Sequence, residues 1–276
     1  MKPDGAERLD LIERAHLRDP ADTSHAIYRY AVPSDLIDLV RRFWLPVWSV
    51  PPGEEAEQQV LQYPVALAVV ASTYTAFRGV SSGLSSVALT GDGWAAGVMF
   101  QPAAGLLLTG EPMDAWTDRV EPLDLLGAHV GPIVAAVHEA MGSDPHDEAA
   151  HHRVVEALAG LARRVGPVDA EGRTANEVVA CVEESPEVTS VAQLCAEVGL
   201  NERSLQRLTR RRLGLSPRWL IQRRRLHEAS ERLRQHEVSL ADVAAELGYA
   251  DQPHLTRDFR TVTGMTPGQF AARYRP

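Results

Sequence analysis

The chain has 276 residues, 45% of them apolar, and 28 Lys and Arg against 37 Asp and Glu give it a formal charge of −9. That length suits two domains, and the apolar content is ample for packed cores. No apolar run reaches the ~18 residues that a membrane span requires, and the polar, acidic start MKPDGAERLD does not have the form of a secretory signal. A cytoplasmic protein is therefore expected.

Residues 1–24 show no clear periodicity and read as a flexible arm. A first domain is expected over residues 25–165. Within it, Pro33–Val47 is predicted to be a helix, because Ser34 can cap it and Leu36, Leu39, Val40 and Phe43 recur at helical spacing. Trp44 and Trp48 fall at and just beyond its end. A Pro/Gly/Glu loop follows over Pro51–Glu57. From Val60 the pattern changes to short apolar runs between turn residues. Strands are predicted over Val60–Tyr63, Val65–Ala71, Tyr74–Val80, Ser85–Thr90 and Trp94–Phe100, an arrangement that argues for a small sandwich or barrel.

Helices are then expected over Leu123–Val130, Gly131–Met141 and Asp147–Val165. In the last, Val154, Val155, Leu158, Leu161 and Val165 make an apolar stripe that suits either a dimer interface or a cap on the β domain. The polar segment 166–173, GPVDAEGR, reads as a linker. The two cysteines, Cys181 and Cys195, fall in helical pattern. They read as small core residues rather than as a disulfide.

Nothing in these segments has the form of a catalytic centre. His138, His146, His151 and His152 cluster in sequence, but adjacent His151 and His152 diverge by ~100° on a helix. No His-Glu-x-x-His pattern and no zinc-spaced cysteine pair is present, so these read as histidines of a solvated surface. There is no Gly-x-Ser-x-Gly elbow, and Gly91-Asp92-Gly93 lacks the third glycine of a phosphate loop. No enzyme activity, no metal and no cofactor is expected. Trp44, Trp94 and Phe100 are the aromatic candidates for an effector pocket, with ordinary core packing as the alternative.

The last hundred residues, 174–276, carry the strongest pattern. Ser190–Pro217 and Ser239–Pro267 are two copies of one unit. Ser190 matches Ser239, Leu194 matches Val243 and Gly199 matches Gly248 at an offset of 49; Leu205 matches Leu255, Arg207 matches Arg257, Gly214 matches Gly264 and Pro217 matches Pro267 at 50. Each copy reads as helix, glycine turn, helix, with Ser-x-x-Gln or Ser-x-x-Asp capping spacing at the start. Charge divides with the domains. Residues 173–276 total +3, residues 1–172 total −12, and residues 200–234 alone carry 11 Arg against 3 Glu. Such asymmetry suits a nucleic-acid reader joined to a different domain.

The stretch GYADQPHLTRDFRTVTGMTPGQF, Gly248–Phe270, and the Arg225-Leu226…Ala229…Leu233 pattern of the preceding helix resemble the C-terminal DNA-binding domain of AraC/XylS-type transcription regulators. Gln101–Met113, with Pro102, Gly110 and Pro112 in place, resembles the end of the N-terminal domain of the same family. The resemblance implies an α+β chain. Its N-terminal part would be a β-rich, cupin-like sensing or dimerisation domain with flanking helices. Its C-terminal part would be an all-α domain of two helix-turn-helix units joined by a long helix, expected over Leu215–Gln235.

The implied function is sequence-specific DNA binding and transcription regulation, modulated through the N-terminal domain. The alternative is the same reader with an N-terminal protein-interaction module and no small-molecule effector. The implied partner is double-stranded DNA, with RNA polymerase as a further possible one, and either a monomer or a homodimer fits. The family's base-edge positions map onto Arg203, Gln206 and Arg207, while Arg210, Arg211 and Arg212 are expected at phosphates. In the second unit the corresponding face is Gln252, His254 and Arg257. Thr209 stands where the family commonly has a bulky aromatic, so looser packing is expected in the first unit.

Overall fold

The computed structural model describes residues 16–17, 22–61, 63–234 and 238–274. Apart from 16–17 and 22–24, the expected N-terminal arm lies outside these residues. The N-terminal half is β-rich. Strands β1 (His16–Leu17), β4 (Ala56–Leu61) and β7 (Leu84–Leu89) form a three-stranded antiparallel sheet in the order β1-β4-β7. Strands β2 (His25–Tyr30), β3 (Val40–Ser49), β5 (Leu67–Ala71), β6 (Thr75–Arg78), β8 (Asp92–Phe100) and β9 (Val120–Glu121) form a second, in the order β2-β3-β8-β5-β6-β9.

The expected helix over Pro33–Val47 is not there. Ser34–Leu36 makes one 3-10 turn, and Val40–Ser49 is the long strand β3, paired with β2 on one side and β8 on the other. Two periodicities coincide in this segment. Leu36, Leu39, Val40 and Phe43 are all buried, as a helical stripe would be, yet Phe43, Leu45 and Val47 also alternate with half-buried neighbours at period two. Strand-favouring aromatic and branched side chains and Pro46, which cannot continue a helix, decide in favour of the strand. The helix expected at Leu123–Val130 is also a single 3-10 turn, Leu123–Leu126, ended by Gly127 at φ +115°.

Alternation along β8 sorts the core. Trp94, Ala96, Val98 and Phe100 face one side with Phe43, Leu45 and Val47 of β3. Helices α2 (Val130–Met141) and α3 (Glu148–Arg163) cover that side and contribute Val137, Met141, Val154, Leu158 and Leu161. The apolar stripe of α3 is thus spent on the sheet of its own chain. On the opposite face the indoles of Trp44 and Trp48 lie across Gly97 and Gly93 so closely that a Cβ on either glycine would collide with them. Between β8 and α2 a short helix, α1 (Ala104–Thr109), leads into the turn Met113–Ala115.

The C-terminal half is helical: α4 (Ala170–Glu184), α5 (Val191–Val198), α6 (Glu202–Leu213), α7 (Pro217–Arg234), α8 (Leu240–Glu246), α9 (Gln252–Thr263) and α10 (Pro267–Tyr274). Residues 170–173 of the expected linker are already part of α4. The two copies of the sequence unit are α5–α6 and α8–α9, and α7 joins them. Their caps follow from the residues. Ser190 accepts from the Gln193 amide, and the Gln193 side chain bonds back to Ser190 N, a complete capping box; Asn201, Ser239 and Asp251 each accept from an amide three residues on. Pro253 sits in the first turn of α9, where its missing N–H costs little.

The halves are not separate bodies. Leu17, Leu61, Tyr63 and Val65 of the β-rich half share one core with Leu226, Leu233, Leu255, Phe259, Phe270 and Tyr274. A second core unites α4, α5 and α6 with Val80 of the β-rich half, and Cys181 and Cys195 pack at its edge as free thiols. Gly214 ends α6 in the left-handed region, at φ +69°, and abuts the Met113–Thr117 segment. The Thr117 hydroxyl donates to its carbonyl at 2.9 Å, and a Cβ on Gly214 would strike both that hydroxyl and the Met113 carbonyl. Gly264, its counterpart in the second unit, has a similar φ of +73° and no atom within 4 Å of the Cβ position.

This pair separates backbone strain from steric collision. Gly264→Ala should lower stability by roughly 1–3 kcal/mol, the cost of a non-glycine residue in that conformation. Gly214→Ala should cost distinctly more, because the same strain is joined by a clash between the two halves. Thermal unfolding of both variants checks this, and equal shifts in melting temperature would refute it.

Candidate nucleic-acid interface

Helix α6 buries Leu205, Leu208, Thr209 and Leu213 and turns Arg203, Gln206, Arg207, Arg210 and Arg211 to solvent. The five exposed residues are those that the sequence reading selected, and they share one face because positions three and four apart recur on one side of a helix. Along that face the surroundings differ. Arg203 and Arg207, near the N-terminal end, make no ion pair among the described residues. Gln206 is steered by its own helix, its Nε2 donating to Glu202 Oε1 at 2.9 Å.

Towards the C-terminal end of α6 the β-rich half and α4 supply carboxylates. Arg210 Nε donates to Asp114 at 2.7 Å, although the Arg210 side chain stays 77% exposed. Arg211 reaches Glu171 at 3.2 Å. Arg212 corrects an expectation. The run of three arginines predicts a phosphate contact for it, but it is 2% exposed and its guanidinium is held by Asp169 and Glu171. The Asp169 carboxyl is held below its ordinary pKa, first by the Gly172 amide and then by Arg212. A buried cation held by two carboxylates is structural, because its charge is matched within the protein.

Helix α7 sorts its arginines in the same way. Arg223 and Arg224 are buried. Arg223 donates to the Gly83 carbonyl at 2.9 Å and stacks on Trp219, and burial pushes its guanidinium down to about 10. Arg224 donates to Glu228 and to the Val188 carbonyl. Much of the local positive charge counted in the sequence therefore holds α7 to its neighbours, and the solvent-facing share is smaller.

On α9, Leu255, Phe259 and Thr263 are buried and Gln252 and Arg257 are exposed. His254 is half-buried, edge-on to Tyr249 and 3.7 Å from Asp258. Arg257 lines an open concavity of about 880 Å³ together with Gln252, Thr256 and Arg260. Arg260 was not selected from the sequence, yet the signal was present: it stands 50 residues after Arg210, at the offset that relates the later helices of the two copies.

The three aromatic pocket candidates do not converge. Trp94 and Phe100 lie in the main core of the β-rich half, and Trp94 is edge-on to His138 at 5.0 Å. Trp44 lies on the opposite face of the sheet, over Gly97. Of the four histidines expected on a solvated surface, His138, His146 and His152 are exposed, and His151 is the exception. His151 is fully buried, its Nδ1 2.6 Å from the Tyr30 hydroxyl and its Nε2 2.7 Å from the Pro145 carbonyl, while His146 meets Tyr28 at 2.8 Å. These bonds tie β2 to α3.

Comparison with known proteins matches two separate stretches of the chain. A family model described as a helix-turn-helix domain matches residues 194–273, and one described as a domain of unknown function (DUF6597) matches residues 28–122. The HTH-type transcriptional activator RhaR of Yersinia pseudotuberculosis serotype O:1b (strain IP 31758) is 33% identical over 84 residues, 30% of this chain and 29% of that protein. A putative AraC-like transcription regulator of Streptomyces lividans is 31% identical over 126 residues, 45% of this chain and 38% of that protein. The chain thus spans well under half the length of either relative. A crystal structure of a transcriptional regulator with an AraC-type DNA-binding domain from Chromobacterium violaceum aligns with 37% of this chain and 92% of its own, at 26% identity and a TM-score of 0.35. Residues 194–273, which hold the two helix-turn-helix units and their connecting helix, thus match a helix-turn-helix domain, and the chain is similar over part of its length to transcription regulators of the AraC-like kind.

Proposed function

We propose that this chain is a sequence-specific DNA-binding transcription regulator that reads two successive major-groove segments with α6 and α9. One observation carries the reading: two helices related by the 50-residue offset each turn a cationic face to solvent, and the single helix α7 joins them. An α7 of 18 residues is ~27 Å long. That length suits two reading helices placed about one DNA turn, ~34 Å, apart. Arg203, Gln206 and Arg207 are the base readers of the first unit, since Arg suits guanine and Gln suits adenine. Arg210 and Arg211 supply phosphate contacts. Gln252, His254 and Arg257, with Arg260 beside them, act for the second unit. The partner is double-stranded DNA, met in the cytoplasm, and no enzymatic step is part of the proposal. Among the described residues no helix is long and apolar enough to cross a membrane.

Modulation through the N-terminal half follows from the ion pairs on α6. Asp114 holds Arg210 on the same face that would meet DNA, so a shift of the Met113–Thr117 turn changes how much positive charge the first unit offers. A small-molecule effector bound to the β-rich half would act through that turn. Because the two halves share a core, the full chain is the proper object for ligand screening by thermal shift, in which an effector stabilises the folded state saturably.

Selection from a random duplex library with the full chain tests the function. Enrichment of a site with two conserved blocks about 10 base pairs apart is expected; no enrichment of any sequence would overturn the reading. Within the selected site, Arg207→Ala should weaken specific binding by about 1–3 kcal/mol. Arg257→Ala should weaken it less, because its unit carries fewer cations. Salt-matched titrations decide, and equal or reversed losses count against the asymmetry. Asp114→Asn should tighten DNA binding by about twofold to fivefold, the range of an exposed ion pair, and the gain should vanish in an Arg210→Ala background. A gain that persists there would show that Asp114 does not act through Arg210.

A further inference from the structure

The two helix-turn-helix units meet in a groove of about 300 Å³ that neither reading helix fills. Arg218, Gln222 and Arg225 line it from one side of α7, Ser190 from the start of α5, and His254 and Asp258 from the flank of α9. His254 places the groove beside the outward face of α9, and Ser190 places it beside the first unit.

Two of its cations have capacity to spare. Arg218 is exposed, and among the described residues it makes no ion pair. The Arg225 guanidinium lies 3.7 Å above the Tyr249 ring, which holds it flat, while its Nε and one Nη are shut off from solvent without a hydrogen-bond partner. A guanidinium has five N–H groups in a rigid fork, and one fixed by stacking loses little freedom when an anion arrives. Burial pushes the Arg225 guanidinium below its ordinary value even though Tyr249, Asp258 and Glu228 act the other way, so a further anion there offsets what remains of the penalty. Among the described residues that line the groove one is a carboxylate, Asp258, which faces His254 at 3.7 Å and also acts on Arg225.

Geometry identifies the anion. If α6 and α9 occupy successive major grooves on one side of a duplex, the intervening minor groove passes between them. Its two phosphate strands must then cross the surface between the units. We propose that this groove is a binding site for the sugar–phosphate backbone between the two half-sites, with Arg218 and Arg225 meeting phosphodiester oxygens and Gln222 donating beside them. The proposal rests on the DNA-reading function above and extends it to residues outside both reading helices. Contacts of this kind carry no base information; they set register and salt dependence. They also fix the half-site spacing, because the backbone is gripped at its midpoint.

The test uses the full chain and its selected duplex. Arg218→Ala should weaken binding to the selected site and to a scrambled duplex by the same factor, about fivefold at 0.15 M salt. The slope of log affinity against log salt should fall by about 1, with base preferences at both half-sites unchanged. A duplex carrying neutral methylphosphonates only between the half-sites should reproduce the loss with the unaltered protein and add little to that of Arg218→Ala. Arg225→Ala also removes the stack on Tyr249, so Arg218, which makes no ion pair or side-chain hydrogen bond among the described residues, carries the test. A wild-type slope for Arg218→Ala, a changed base preference, or methylphosphonates without effect would each overturn the groove while leaving the reader intact. If the unaltered chain selects no sequence, the function itself fails and the groove falls with it.

Discussion

A shared hydrophobic core is the constraint on which the rest of this molecule depends. The second helix-turn-helix unit does not close its core alone. Phe259, Phe270 and Tyr274 are buried together with Leu61, Tyr63 and Val65 of the β-rich half. Polar bonds line the edge of the same contact, with Tyr274 donating to Gln59 at 2.9 Å and Arg273 reaching Glu57 at 3.3 Å. The first unit is held differently, by the Met113–Thr117 turn against Gly214 and by carboxylates around Arg212. One reading helix is therefore anchored mainly by apolar burial, which salt barely touches, and the other partly by ion pairs, which salt and phosphate can compete for. The more cationic unit is also the one whose attachment is more electrostatic.

Positive charge has been sorted by depth. In an acidic chain, arginines concentrated in residues 200–234 look like a DNA surface, yet Arg212, Arg223 and Arg224 are buried and paired with carboxylates or carbonyls. Arg203, Arg207 and Arg210 remain outside. The sorting follows helical geometry. Arg212 lies on the same side of α6 as Leu205, Leu208 and Leu213, and a long side chain on that side has to find its partners inside.

What could be read from the chain alone was whatever repeats or is local. The 49- and 50-residue offsets, the caps at Ser190, Asn201 and Asp251, and the outward face of α6 depend on neighbours a few positions away, and all were legible. The segment 33–47 was misread because its buried positions satisfy helical and strand periods together, and only pairing with β2 and β8 breaks the tie. Contacts between the halves left no local trace. Asp114 is separated from Arg210 by 96 residues, and nothing near either residue announces the other. Arg212 was indistinguishable from Arg210 and Arg211 in a run of three until burial separated them. Thr209, where the resemblance implied looser packing, is fully buried.

The union of Tyr274 with Gln59 has a consequence for how the chain is made. The partners are 215 residues apart, so strand β4 leaves the ribosome long before α10 exists. In the interval the apolar side of that strand, Leu61 and its neighbours, has no native cover. Long-range closure of this kind slows folding and prolongs the exposure of sticky surface. The docking of α10 against β4 is therefore a late, long-range step in folding. A chain that stalls before residue 267 would keep that face of β4 uncovered.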